Sequence, residues 1–304
     1  MMSLRLMDNS CLVTFPPSLT GGVLEVSSVP LGRAGGGSSL IQYMQSLRND
    51  EQRRALMRFF KTGPGEYGEG DEFLGLKVPQ TREVVKYAWK DLPLAEVPAL
   101  LESRWHEVRL CGLLILVEKF SRLLARRLRD EAEAAQQREQ IIGMYVSHAE
   151  RANNWDLVDL SAPKLLGEWV LTVDRERALA LLDSLADSPN LWRQRMSIVC
   201  TWTTSRAGDP SWCLRMAERH LHHPHDLMHK AVGWMLREMG QRVSMDLLRD
   251  FLRQHVHAMP RTTLRYAIEK MDDAERRRWM TLKRAPQRKA RSRMAMTMSA
   301  GKLS

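Results

Sequence analysis

The sequence predicts an all-α fold, a HEAT-like α-solenoid built from antiparallel helix pairs, and three observations carry that expectation. Beyond Val78-Pro79, apolar residues recur at helical spacing, Pro, Gly, Asp and Asn stand at the breaks, and no alternating strand pattern competes. The helical runs also repeat. WHEVRLCGLLILVEK, WDLVDLSAPKLLG, WRQRMSIVCTW, MHKAVGWMLRE and TLRYAIEKM each read as the second helix of a pair, and the starts Trp155, Trp192, Met228 and Thr263 are 37, 36 and 35 residues apart. A two-helix unit of that period cannot bury its apolar face alone, so stacking must supply one continuous core and a concave surface lined by equivalent helices. Finally, a chain of 304 residues, 44% hydrophobic and 27% charged, can bury such a core.

Taken in order, residues 1–40 carry Pro16-Pro17, Gly21-Gly22 and Gly35-Gly36-Gly37 with little periodicity, and read as a disordered leader. An organelle transit peptide or a start assigned too far upstream also fits that stretch. Leu40 to Lys61 is helical and ends in the glycine-rich KTGPGEYGEGDEFLG. That segment lacks the G-K-[ST] end of a phosphate loop and holds Glu66, Glu69, Asp71 and Glu72, so it reads as a turn-rich connector able to place Phe59, Phe60 or Tyr67 beside a ligand. Helical runs then begin near Pro79, Leu94, Trp105, Arg138, Asn154, Asp174, Asn190, Asp209, His225, Ser244 and Pro260. The step from Trp105 to Trp155 is 50 residues, the excess falling in LARRLRDEAEAAQQREQ as an extended helix or insertion.

The net charge of +10 sits at one end. From Arg276 onward there are ten Lys or Arg and no acid, so the expected division is a leader at 1–40, a repeat domain at 41–275 and a basic, disordered tail at 276–304. Such an arm suits phosphate attraction or targeting, with a solvated end as the plain alternative. Cys11, Cys111, Cys200 and Cys213 have no C-x-x-C spacing and read as reduced thiols of an intracellular protein. No window approaches eighteen consecutive apolar residues, which excludes a membrane-spanning helix.

The candidate site starts in NNWDLVDLSAP, where Trp155 and Asp159 stand one helical turn apart on one face behind an Asn cap. On this segment alone, Trp155 also reads as packing, and Asp156 and Asp159 as first-turn partners of the helix dipole. The repeat adds two more groups. Arg195 and Trp234 lie at similar offsets in the next two second helices, and the four residues fall within an arc of roughly 160 degrees. Two indoles, a carboxylate and a guanidinium on one side suit a flat cationic group with phosphate nearby.

These residues carry a resemblance. NNWDLVDLSAP, SPNLWRQRMSIV, AVGWMLRE, HEVRLCGLLILVEK, MPRTTLRYAIEK and FLGLKVPQTRE, over about residues 41 to 271, resemble the AlkD-like DNA alkylation repair family of HEAT-like DNA glycosylases. The resemblance implies a concave face that clamps duplex DNA and releases N3- or N7-alkylated purines such as 3-methyladenine and 7-methylguanine. It places the catalytic aspartate at Asp159, the two site tryptophans at Trp155 and Trp234, and the arginine at Arg195. Phe59 falls where the well-studied members have a tyrosine, so the ring is kept for stacking and the hydroxyl is missing. The glycine-rich connector is longer here than in those members, and the lesion is expected to be held without a tight base pocket.

Arg109, Lys230 and Arg237 lie near the starts of second helices or a turn on and are candidate phosphate contacts beside Phe59, with an exposed charge or internal pair the alternative for each. The histidines of HLHHPHDLMH straddle a helix break with no ligand set to complete a shell, so no metal and no cofactor are expected. The sequence therefore points to a monomeric enzyme acting on alkylated double-stranded DNA. The competing expectation is a HEAT-repeat binder of damaged or distorted DNA that does not excise, and a weaker third is a protein-binding scaffold.

Overall fold

The computed structural model describes residues 36–282 and a two-residue strand pair, Leu4–Arg5 with Leu12–Val13. The helices are α1 Gly37–Ser46, α2 Asp50–Phe59, α3 Val78–Ala88, α4 Val97–Leu101, α5 His106–Leu123, α6 Ala132–Ser147, α7 Trp155–Ser161, α8 Glu168–Val170, α9 Arg175–Ala186, α10 Leu191–Val199, α11 Thr201–Arg206, α12 Ser211–Arg219, α13 Asp226–Arg242, α14 Met245–His255, α15 Arg261–Ala267 and α16 Asp273–Thr281. Their starts follow capping chemistry. The side chains of Asn49, Asp174, Asn190, Ser244 and Asp272 each accept a backbone N–H of the turn that follows, which satisfies donors the helix cannot pair itself.

The second helices stack in chain order. α5 packs on α7, α7 on α10, α10 on α13 and α13 on α15, while α6, α9, α12 and α14 each lie against one of that row. This is the all-α solenoid that the 35 to 37 residue period requires, and one continuous apolar cluster runs through it from Leu40 to Met271. Close approach is built in at Gly233, where a Cβ would stand 2.4 Å from the Thr263 carbonyl oxygen of α15. Only glycine lets α13 and α15 sit that near. Cys111, Cys200 and Cys213 are buried free thiols in this core, and burial pushes the Cys111 and Cys213 thiols up to about 12. Cys11 lies outside the described residues. No described helix is long and apolar enough to cross a membrane.

Three boundaries differ from expectation. The helix expected near Arg138 starts six residues earlier, because Ala132, Ala134 and Ala135 are strong helix formers and Arg138 is a buried tie, donating to the carbonyls of Leu123 and Arg129. The stretch from Leu40 to Lys61 is two helices, with Asn49 capping the second. The basic segment does not leave the fold at Arg276. Its first six residues complete α16, which Glu275 ties to Arg249 of α14 at 2.8 and 3.1 Å. Most of the leader and everything beyond Leu282 lie outside the described residues, and the disorder expected of them lies outside with them.

The glycine-rich connector turns at residues 61–70 and then runs extended and buried through Phe73, Leu74 and Leu76. Glu107 of α5 anchors it, accepting the backbone N–H groups of Leu74 (2.8 Å), Gly75 (2.8 Å) and Leu76 (3.0 Å). Gly75 has φ +93°, and a Cβ there would meet the Asn49 carbonyl oxygen at 2.1 Å. No other residue fits that bend.

Candidate active site

The structure joins Asp159 and Arg195 directly. α7 and α10 are neighbours in the stack, and the Arg195 fork closes on the carboxylate, Nε to Oδ1 at 2.8 Å and Nη2 to Oδ2 at 2.8 Å. The remaining Arg195 nitrogen, Nη1, donates to the Leu227 carbonyl at the start of α13 at 2.6 Å, so one guanidinium ties three consecutive second helices. His225 sets that turn of α13 by accepting the Leu227 N–H at 3.1 Å. Burial, reinforced by the charge of Asp156, raises the Asp159 carboxyl above the ordinary carboxylate range against the opposing pull of Arg195. The bidentate geometry is that of an ionised acid.

Trp155 opens α7 one turn before Asp159. Its Nε1–H donates to the Tyr67 hydroxyl at 3.3 Å, and its ring packs on Phe60 and Phe59 with centroids 5.4 and 6.0 Å away. The connector thus delivers Tyr67 to the indole. Phe59, Tyr67 and Lys230 are partly exposed along this side, Lys230 in an ion pair with Asp226 at 2.8 Å. Trp234 lies about two turns along α13 from Leu227. Its buried indole N–H has no hydrogen-bond partner among the described residues, so nothing bonds it to the other three members of the quartet.

Two expectations about exposure are corrected. The face carrying Trp155 and Asp159 is not open: Asp159 is 2% exposed, Trp155 8%, Arg195 4% and Trp234 4%, because the neighbouring helices and the connector close over α7. Arg109 and Arg237 are not poised for phosphate either. Arg109 is buried and donates to Asp71 and to the carbonyls of Ser103, Arg104 and Arg151. Arg237 is buried between Glu238 and Glu269. Both arginines are internal ties, since a guanidinium taken into the interior must be paired. The histidines are engaged locally: His220 with Ser197, His223 with Gln194, and His229 with the His223 carbonyl.

Sequence reasoning missed the layer beneath Trp155. His106 is buried between two carboxylates, Nδ1 to Asp71 Oδ2 at 2.7 Å and Nε2 to Asp156 Oδ2 at 2.9 Å, and Arg109 Nη2 reaches the other Asp71 oxygen at 2.5 Å. Phe73 stacks on the imidazole at 4.4 Å and Phe60 stacks on Phe73 at 5.3 Å, which continues the ring ladder up to Trp155. Burial opposes a charge on His106, yet Asp156 and Asp71 overcome it and hold the imidazolium up to about 10. Burial likewise opposes ionisation of Asp71, but His106 and Arg109 pull it down to about 2.

These shifts set a pH dependence of stability. His106 is raised above its ordinary 6.5, so its contribution is complete below pH 6.5 and is lost as pH rises toward about 10. Asp71 is depressed below 3.8, so its contribution is complete above pH 3.8 and is lost as pH falls toward about 2. The part of the thermal midpoint that rests on His106 and Asp71 therefore plateaus between about pH 4 and 6.5. It should decline on both sides when followed by circular dichroism, and a midpoint still rising from pH 7 to 10 would contradict the charged His106.

Comparison with known proteins bears on the fold and on the family. A solved structure described as "Predicted DNA alkylation repair enzyme from Enterococcus faecalis" superposes with a TM-score of 0.55 at 15% identity, covering 74% of this chain and 97% of that one. At that identity the likeness speaks for the fold. A search of curated protein sequences gives no match. Residues 40–271, which include every member of the Asp159, Arg195, Trp155 and His106 constellation, match the profile of the family described as "DNA alkylation repair enzyme". The chain belongs to the DNA alkylation repair enzyme family.

Proposed function

We propose that this protein is a DNA glycosylase that hydrolyses the N-glycosidic bond of cationic N3- or N7-alkylated purines, such as 3-methyladenine and 7-methylguanine, in duplex DNA. The observation that supports it most is the buried Asp159 carboxylate, clasped by Arg195 one helical turn from an indole in an aromatic cluster. Alkylation makes the purine cationic and a good leaving group, so the bond electrons pass to the base and the sugar becomes oxocarbenium-like. An ionised carboxylate stabilises that cation and accepts a proton of the water that adds to C1′, and each carboxylate oxygen keeps a lone pair beyond the one used by the fork. Trp155, Trp234 and Phe59 supply ring faces for the sugar and the charged nucleotide. The second helices present the concave face to the duplex, with Lys230 at its rim, and the protein acts as a monomer inside the cell.

One observation favours a second reading. Both Asp159 oxygens are already engaged and the group is nearly sealed from solvent, which suits a damage-binding protein that recognises distorted duplex without excision. Incubation with N-methylated duplex DNA separates the two. Release of free methylpurine supports the glycosylase, whereas retention of methylated DNA with no free base supports the binder.

The basic segment gives a further prediction. Deleting residues 283–304 removes seven Lys or Arg while leaving α16 whole. Duplex binding should weaken more at 50 mM than at 200 mM salt, with the log–log salt slope reduced by about 0.9 for each phosphate no longer neutralised. An unchanged slope would separate the arm from DNA.

A further inference from the structure

We infer that His106 is a positioning residue for the Asp159 chemistry: as an imidazolium bridging Asp71 and Asp156, it fixes the first turn of α7 against the connector and shields Asp159 from the charge of Asp156. The inference rests on the reading of Asp159 as the ionised group of the reaction.

The geometry has two parts. Mechanically, Asp156 belongs to the same turn of α7 as Trp155, and Asp71 belongs to the connector that carries Tyr67. A single ring bonded to both carboxylates sets the distance between the two segments that grip the indole. Arg109 fixes the far end by holding Asp71 to the carbonyls of Ser103, Arg104 and Arg151. Phe73 stacked on the imidazole prevents it from turning, and the His106 backbone N–H donates to the Glu72 carbonyl at 2.7 Å, tying the start of α5 to the same connector.

Electrostatically, Asp156 and Asp159 are three residues apart on α7, so both carboxylates lie within one turn in a dry interior. Two anions that close disfavour each other's ionisation, and Asp156 indeed pushes the Asp159 carboxyl upward. The groups facing Asp159 are Arg195 from α10, Asp156 on its own helix and Tyr145 from α6. Those facing His106 are Asp71, Asp156 and its neighbour Glu107. Tyr67 faces both Asp156 and Arg195, and His225 faces Arg195. Of these, only His106 is a cation bonded to Asp156. Without it, Arg195 alone would be left to offset that charge beside Asp159.

The test reads Asp159 itself, so it does not depend on turnover. The carboxyl of Asp159 is titrated by carbon-13 NMR in the intact protein and in His106→Gln, which keeps hydrogen bonding and drops the charge. The expected result is a rise in the Asp159 midpoint on the order of one pH unit, tenfold in proton concentration, in His106→Gln. In the double variant with Asp156→Asn it should return to the parental value. In a catalytically active preparation the acid limb of the single-turnover rate should move by the same amount. An unchanged midpoint in His106→Gln, or an equal rise in the double variant, would overturn the shielding role and leave His106 as packing.

If His106→Gln does not fold, nitrogen-15 spectra of the intact protein decide. Two protonated ring nitrogens from pH 6 to 9 support the bridge, and a neutral tautomer at pH 7.5 overturns it. Failure of the glycosylase reading is distinct, since it appears as absence of base release by the parent protein while the titrations still report on His106.

Discussion

Asp159→Asn should reduce release of 7-methylguanine from methylated duplex DNA by about 100- to 1000-fold, the scale seen when one preorganised electrostatic contact to a transition state is removed. Asparagine keeps the size of the side chain and one acceptor oxygen. It loses the charge, and its NH2 meets the Arg195 fork donor to donor where Oδ2 now accepts Nη2 at 2.8 Å. Two consequences separate this variant from a general defect. DNA affinity should be kept, because Arg195 stays anchored to the Leu227 carbonyl and the partly exposed Phe59, Tyr67 and Lys230 are untouched. The loss should also fall on the single-turnover rate and not on substrate affinity, as expected of an interaction made only in the transition state. Equal release by parent and variant would remove Asp159 from the chemistry. No release by either, with binding retained, would leave the damage-binding reading in place.

Much of the fold was legible because repetition is a one-dimensional signal. The caps at Asp174, Asn190, His225, Ser244 and the start of α15 after Pro260 stood where the sequence placed them, and the 35 to 37 residue period ordered α7, α10, α13 and α15 as neighbours. Where the period broke, so did the reading. α6 began at Ala132 and not Arg138, since an alanine-rich first turn carries little apolar periodicity until it is packed.

The site was half legible. Offsets from helix starts put Asp159 and Arg195 on one side, because parallel second helices bring like offsets together, but that the two close on each other was not read from them. Burial was not legible, because the period locates a face but not what covers it. Over Trp155 the cover is the connector, whose path follows from Gly75 and from three hydrogen bonds to Glu107, none of which has a sequence period. For the same reason the sequence left Arg109 and Arg237 open between phosphate contact, exposed charge and internal pair. Each is paired by residues distant in sequence, such as Asp71 with Arg109 and Glu269 with Arg237. His106 and Asp71 were invisible together, though a histidine beginning an otherwise apolar helix needs a buried acidic partner and is a signal that was available.

That dependence on the connector yields the largest stability effect. Glu107 is 2% exposed, and burial raises its carboxyl above the ordinary value although His106 and the backbone N–H groups of Leu74 and Gly75 pull it down. Three backbone donors converge on it, and each left unpaired in the interior costs about 1–3 kcal/mol. Glu107→Ala removes every acceptor at once, so the expected loss is about 3–5 kcal/mol after partial relaxation. For a domain of this size that lowers the thermal midpoint by roughly 10 °C. Glu107→Gln keeps one oxygen for Gly75 and Leu76 but turns an amide donor toward the Leu74 N–H, and should lose about 1–3 kcal/mol. Urea unfolding followed through tryptophan fluorescence measures both. The order matters as much as the size, because a packing role would make Gln nearly silent, whereas an acceptor role grades parent, Gln and Ala. The connector also carries Tyr67 to Trp155, so Glu107→Gln should loosen that contact before the protein unfolds and change Trp155 emission in the native baseline. A Glu107→Ala protein within about 1 kcal/mol of the parent would mean that the connector is held by Phe73, Leu74 and Leu76 packing alone.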